Sequence, residues 1–143
     1  MTILRATPEF LPHEVVIAEE LIDSFLQNGK KSGYTIEVAE DEGKVVGYIC
    51  WGDTPLTEGT WDIFWVAVDN RQQGKGIGAQ LMEQAEKAIY AAGGRLSVVE
   101  TSGKPEYNKT RQFYAKIGYV EEARIKDFYN VGDDKVILIK RLR

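Results

Sequence analysis

Apolar and polar residues alternate from Tyr34 to Ala39, and a β-rich run follows from Lys44 to Trp51. The turn signal Asp41-Glu42-Gly43 lies between them, so the pair predicts a hairpin. Asp53 to Gly59 holds Pro55 and Gly59 and reads as a loop. Thr60 to Val68 is then apolar on both faces, Asp62 apart, which predicts a central strand covered on both sides. From Gly76 to Ala92 the period becomes helical: Ile77, Leu81, Ala85 and Ala88 share one stripe, and Gly93-Gly94 ends it. Arg95 to Glu100 is the next strand, and a right-handed parallel crossover is the economical connection. Pro105 precedes a helix from Glu106 to Ile117, stopped by Gly118. Tyr119 to Lys126 and Lys135 to Leu142 are the last strands, joined by a loop from Asp127 to Asp134. Upstream, Thr2 to Arg5 reads as a short strand. Pro12 to Gln27 reads as a helix, with Val15, Ala18, Ile22 and Phe25 at helical spacing and Asn28-Gly29 as its stop.

The predicted order is β, helix, three strands, helix, strand, helix and two strands. That is an α/β fold with a mixed sheet flanked by helices, not the strict alternation of a Rossmann domain. A chain of 143 residues favours a single domain, residues 1–143, with a substantial core of its own. Its composition, 43% hydrophobic and 28% charged, is that of a soluble globular protein. A net charge of -4 argues against a nucleic-acid partner and suits the steering of cationic amines. The one cysteine, Cys50, excludes a disulfide within the chain and fits a reducing compartment. The start MTILRATPEF lacks the pattern of a signal peptide, and no apolar run reaches the roughly 18 residues of a membrane span. A cytoplasmic location and no membrane partner are the expectation.

The most informative segment joins the buried strand to its helix: Arg71-Gln72-Gln73-Gly74-Lys75-Gly76-Ile77-Gly78-Ala79. Its alternate glycines let a ligand approach the backbone with no Cβ in the way. The helix N-terminus beyond them favours an anion such as a pyrophosphate. A tight turn alone would need one glycine. A P-loop requires Lys-Ser or Lys-Thr after the last glycine, and Ala79-Gln80 stands there. The dinucleotide fingerprint is a closer rival, since Gly74, Gly76 and Ala79 match its spacing and Glu100 lies about 20 residues on. Against it, polar residues Asp69 to Gln73 separate the strand from the glycines. Too few βα units also follow to complete a doubly wound sheet.

Val66-Ala67-Val68-Asp69 with the glycine loop resembles motif A of the GNAT acetyltransferases. Thr110-Arg111-Gln112-Phe113-Tyr114-Ala115-Lys116-Ile117-Gly118-Tyr119 resembles the family's motif B. Both motifs stand in the family's order, and the predicted elements fit its fold along the whole chain. The resemblance implies the acyl-CoA N-acyltransferase fold, whose sheet splays beside Val66 to Val68. It implies acetyl-CoA as co-substrate, with the pantetheine arm against Val66, Ala67 and Val68. The pyrophosphate would lie by Gln73, Gly74, Lys75, Gly76, Ile77, Gly78 and Ala79. Family members often have an asparagine where this chain has Tyr107; Asn108 stands one position later, so either could face the cofactor.

The implied reaction is attack by a primary amine, of a metabolite, peptide or protein, on the acetyl thioester. It asks for a base, an oxyanion donor and an acid for the departing sulfur. The resemblance places the Tyr114 hydroxyl near that sulfur, and a phenol of pKa ~10 can protonate a thiolate whose thiol has pKa ~8.5. Glu100 ends the strand after the glycine loop and resembles the glutamate of ribosomal-protein N-terminal acetyltransferases. It reads as a base or as an exposed strand-end carboxylate. A backbone N–H in Val66 to Val68 is the oxyanion donor. A covalent route through Cys50 lacks a base, His13 being the only histidine, and Cys50 reads as core. No metal is expected, since no cluster has ligand spacing. Trp61, Phe64 and Trp65 read as core. Trp51-Gly52-Asp53, Phe128 and Tyr129 are candidates for the acceptor side. Asp133 and Asp134 also lie in that final loop, and Asp134 reads as an ordinary polar turn. A homodimer is compatible with the sequence. The alternative function is a non-catalytic CoA- or nucleotide-binding module.

Overall fold

The structure, a computed structural model, describes residues 34–69, 74 and 76–143. The strand expected at Thr2–Arg5, the helix expected at Pro12–Gln27, His13, Gln73 and Lys75 lie outside the described residues.

Strands β1 (Thr35–Asp41) and β2 (Lys44–Asp53) form the expected hairpin. Glu42 and Gly43 at its tip both have left-handed φ, 52° and 80°, as a tight primed turn requires. Strand β3 (Thr60–Val68) pairs antiparallel with β2, and helix α1 (Ile77–Ala91) carries the chain to β4 (Leu96–Ser102), parallel to β3. A 3-10 turn (Pro105–Tyr107) leads into helix α2 (Asn108–Lys116), so the single helix expected from Glu106 begins as a tighter turn around its proline. Strands β5 (Val120–Asn130) and β6 (Asp133–Arg141) close the sheet in the order β1-β2-β3-β4-β6-β5.

The loop expected from Asp127 to Asp134 is mostly strand. Only Val131 and Gly132 form the turn, and the register jumps from Ile125–Lys135 to Asn130–Asp133. Asp127 takes a left-handed φ of 56° inside that irregularity. Its amide donates to Asp134 Oδ1 (3.0 Å), and Gly132 N–H donates to Asp127 Oδ1 (2.8 Å). Side-chain carboxylates thus replace ladder bonds where the strand bulges. That backbone donor, with Arg124 behind it, holds the Asp134 carboxyl below the usual carboxylate range.

The two faces of the sheet carry separate clusters. The larger joins Ile49, Trp51, Ile63 and Val99 to Leu81, Met82, Ala85 and Ile89 of α1, and extends to Tyr114 and Tyr119. Ala88, expected on the helix stripe, is exposed. The smaller holds Tyr48, Cys50 and Ala67, with Phe64 and Trp65 partly buried against it. Trp61, Phe64 and Trp65 are therefore half-buried flanks of the core and not its centre.

Helix α1 ends in a tight reversal, with Gly94 N–H bonded to Ile89 O (2.8 Å). A Cβ on Gly94 would lie 2.2 Å from Ile89 Cγ2 and 2.7 Å from Ile89 O. Gly94→Ala should therefore destabilise the fold by ~1–3 kcal/mol, as overpacking of a core does. Urea unfolding reads this directly. An unchanged midpoint would show that the crossover backbone relaxes without cost.

Candidate active site

The parallel pairing of β3 with β4 is short: Thr60–Leu96, Trp61–Ser97, Asp62–Val98 and Ile63–Val99, then it stops. The cause is visible on the other edge of β3. Adjacent β2 residues Trp51 and Cys50 pair with Ile63 and Trp65, so Phe64 is an extra residue in β3. Such a bulge bends and twists its strand. Past it, Trp65–Val68 stays with β2 while Glu100–Ser102 stays with β6, and the two segments do not pair with each other. A wedge opens there, lined by strand backbone. The splay implied for Val66 to Val68 is present, and Phe64 is what produces it.

Helix α1 begins at the Val68 side of this wedge. Its N-cap is Gly76, in the left-handed region at φ 78°, with no side-chain capping bond and no acidic residue in the first turn. Its first helical bond runs from Gln80 N to Gly76 O (3.0 Å). The amides of Ile77, Gly78 and Ala79 thus end the helix without a side-chain cap, where the dipole favours an anion. A Cβ at Gly74 or Gly76 would meet no atom within 4 Å, so both face open space. Gly78 differs: a Cβ there would sit 3.3 Å from the Phe113 ring. Its missing side chain serves the contact of α1 with α2, which corrects the expectation that all the glycines clear a ligand's path. The dinucleotide reading fails on the sheet: among the described residues it holds one parallel pair and four antiparallel ones.

Tyr114 projects from α2 and is buried, with 6% exposure. The end of its helix explains the motif around it. Gly118 has φ 104°, Gly118 N–H bonds to Ala115 O (3.2 Å), and Tyr119 N–H bonds to Tyr114 O (3.0 Å). These are the paired bonds of a Schellman stop, and the accompanying apolar contact is the Tyr114–Tyr119 ring pair, edge-on at 5.7 Å. Phe113 packs edge-on against Tyr114 from the other side at 5.1 Å. The Tyr119 hydroxyl lies 2.7 Å from Ser97 Oγ and donates to Glu86 Oε2 (3.0 Å). Burial, with some help from the Glu86 carboxylate and against the Ser97 bond, pushes this phenol well above its usual range, so it stays a donor. Nothing in the sequence pattern signalled this network.

Asn108 is exposed, and its carbonyl oxygen accepts from Arg111, so what it can offer a ligand is its amide nitrogen. Arg111 also binds the carbonyls of Ser102 and Lys104, fastening α2 to the end of β4. The helical spacing of Asn108 and Arg111 was the available signal for their contact.

Glu100 is the first β4 residue past the parallel register, and its side chain is 47% exposed. It is not an isolated strand-end carboxylate: Lys135 Nζ, on β6, lies 3.0 Å from Glu100 Oε2. The Lys135 side chain is 15% exposed, and its ammonium sits 4.4 Å over the Phe128 ring. Tyr129 packs edge-on to Phe128 at 5.0 Å. Phe128 thus reaches the Glu100 side of the wedge through Lys135, a residue the sequence reading missed. Trp51 does not line an acceptor site; it is buried in the larger cluster, and of its neighbours only Asp53 is exposed. Cys50 has 1% exposure, and burial pushes its thiol up to about 12, so it is no nucleophile at neutral pH. Among the described residues, no group of His, Cys, Asp and Glu is arranged to hold a metal, and no helix is long and apolar enough to cross a membrane.

Residues 32–121 match the acetyltransferase (GNAT) domain family. An uncharacterized N-acetyltransferase of Methanocaldococcus jannaschii is 30% identical over 105 residues, which span 73% of this chain and 64% of that protein's length. The crystal structure of a GNAT-family protein from Desulfovibrio desulfuricans is 39% identical and superposes with a TM-score of 0.96, covering 99% of this chain and 89% of the other. An aminoglycoside 6'-N-acetyltransferase solved with coenzyme A shares the fold, at TM-score 0.69 and 17% identity over 94% of this chain and 96% of that one. With the family's domain matched over most of the sequence and a splayed sheet formed at the Phe64 bulge, the chain belongs to the GNAT family of acetyltransferases.

Proposed function

We propose that this chain transfers the acetyl group of acetyl-CoA to a primary amine by direct attack, with no acetyl-enzyme. The observation that carries this reading is the junction of the wedge with the α1 N-terminus, which has no side-chain cap. Strand backbone at Val66, Ala67 and Val68 offers amide-like hydrogen bonding to an extended pantetheine arm. The wedge ends where Gly74, Gly76, Ile77, Gly78 and Ala79 present amides to a pyrophosphate, with Gln73 and Lys75 in the same loop. Asn108, on α2, would offer the cofactor its amide nitrogen.

Acetyl-CoA, when bound, supplies the electrophilic thioester. An amide N–H in Val66 to Val68 would stabilise the oxygen as the amine nitrogen bonds to the carbonyl carbon. The C–S bond then breaks, and the Tyr114 hydroxyl gives its proton to the sulfur. Glu100 would take the proton the nitrogen loses, directly or through water. Lys135 pairs with its Oε2, so an incoming ammonium competes with that ion pair. The Cys50 environment supports direct attack, because the chain's only cysteine is buried and protonated.

Binding and chemistry are tested separately. CoA should raise the melting temperature and NAD should not. A ligand that binds only the folded state stabilises by ~2.7 kcal/mol at a hundredfold excess over its Kd. Stabilisation by NAD alone would reject the reading. Thiol release from acetyl-CoA across a panel of amines then separates an enzyme from a non-catalytic CoA-binding module, which would bind CoA and release nothing.

A further inference from the structure

We propose that Tyr119, held by Glu86 and Ser97, is a positioning residue that sets the Tyr114 ring for proton delivery to the sulfur. This rests on the acid role proposed for Tyr114. The two tyrosines are joined twice, by the Schellman bond from Tyr119 N–H to Tyr114 O (3.0 Å) and by the edge-on ring contact at 5.7 Å. The backbone bond fixes where Tyr119 leaves the helix, and core packing confines its ring. The hydroxyl bonds then fix where the far end of the ring sits.

The bonds balance in one way. Tyr119 O–H has a single proton and gives it to Glu86 Oε2, so Ser97 Oγ–H must donate to the Tyr119 oxygen. Glu86 is fixed in turn by Lys140 Nζ on its other oxygen (2.8 Å). The anchors come from α1, β4 and β6, the helix and strands that border the wedge or back it. Ser97 is fully buried and Tyr119 nearly so, so water does not replace the bond between them. A ring anchored at its far end by such a network presents a fixed surface to its neighbour. Tyr114, packed between Phe113 and Tyr119, takes its orientation from that surface. The Lys140 ammonium, 5.9 Å from the Tyr119 ring centroid, is the other charged group facing this ring.

The experiment is a double-mutant cycle on thiol release from acetyl-CoA, with the fastest amine of the panel and with water alone as acceptor. Tyr119→Phe keeps the ring and removes the anchor. It should lower kcat about tenfold or more, with KM for acetyl-CoA unchanged, since small misplacements of a reacting group cost up to ~10²-fold. In Tyr114→Phe the proton is already missing, so adding Tyr119→Phe should cause no further loss. Glu86→Leu should slow turnover as Tyr119→Phe does, and Glu86→Gln, which still accepts the hydroxyl proton, should recover most of it. Should Tyr119→Phe fold poorly, the Glu86 pair decides. Wild-type kcat in Tyr119→Phe overturns the proposal, as does an equal loss in the presence and absence of the Tyr114 hydroxyl. In both cases Tyr114→Phe remains slow and the acid role survives. Wild-type turnover in Tyr114→Phe removes the acid role and this inference with it.

Discussion

Gly76→Glu is expected to abolish CoA binding in a protein that still folds. The position is the N-cap of α1, and a Cβ built there touches nothing within 4 Å. No internal clash follows. The strain comes from φ 78°, where a residue with a Cβ costs ~1–2 kcal/mol. A domain of ordinary stability, ~5–15 kcal/mol, tolerates that. The carboxylate, however, is placed beside the α1 amides proposed to bind the pyrophosphate. Two like charges ~4 Å apart repel by ~1 kcal/mol in water and ~4 kcal/mol at the dielectric of a protein surface. A pyrophosphate carries more than one charge, so a loss of ~10²-fold or more in affinity follows. Gly76→Ala separates the causes, since it carries the strain without the charge and should keep most of the affinity. Pantetheine, which lacks the pyrophosphate, should bind the Glu variant and the wild type alike. Calorimetric titration with CoA measures all of this. Wild-type affinity in a folded Gly76→Glu protein would mean that the pyrophosphate lies elsewhere.

How much of this site could be read from the chain depends on the range of the interaction that builds each part. Thr60 to Val68 was legible to the residue, because an unbroken apolar run between loops has few alternatives. The shape of the glycine loop was legible because it is set locally: Gly74 and Gly76 take the left-handed region and a helix begins directly behind them. The same pattern misread Gly78, because its neighbour Phe113 belongs to another helix and no local rule reports it. The Phe64 bulge was invisible for a related reason. An extra residue shows only against the partner strand, and the run Ile63-Phe64-Trp65 is equally apolar with or without it.

Glu100 shows the same limit in the chemistry. Its place in β4 could be read, although the strand runs two residues past it to Ser102; its ion pair depends on the β4–β6 register, which sets Ser102 opposite Lys135 and Glu100 opposite Ile137. The diagonal between them is the contact made. The final loop failed for yet another reason. Asp, Asn and Gly around Gly132 are turn residues, and they do make the turn. Yet Asp127 and Asp134 also bond the backbone themselves, which lets the strands run on to Asn130 and start at Asp133.

Tyr114→Phe should lower kcat by ~10²–10⁴-fold, the usual contribution of a positioned acid, and leave acetyl-CoA affinity nearly intact. The substitution removes one oxygen from a side chain whose place is otherwise fixed. Phe113 and Tyr119 hold the ring edge-on from two sides, and the Schellman bonds that end α2 involve only backbone. The fold and the wedge should therefore survive. Binding should survive too, because the pantetheine and pyrophosphate contacts proposed here lie on β3 and α1. The loss belongs in kcat, because sulfur gains charge only as the C–S bond breaks. Tyr114 is 6% exposed, so bulk water reaches this point poorly and rescues little. Single-turnover measurement is required, since slow product release could hide a slower chemical step. Wild-type single-turnover rates in a folded Tyr114→Phe protein would end the acid assignment. Catalysis would then rest on aligning amine and thioester in the wedge, a contribution worth ~7–11 kcal/mol where reactants are well oriented, and the acetyltransferase reading would stand on that alone.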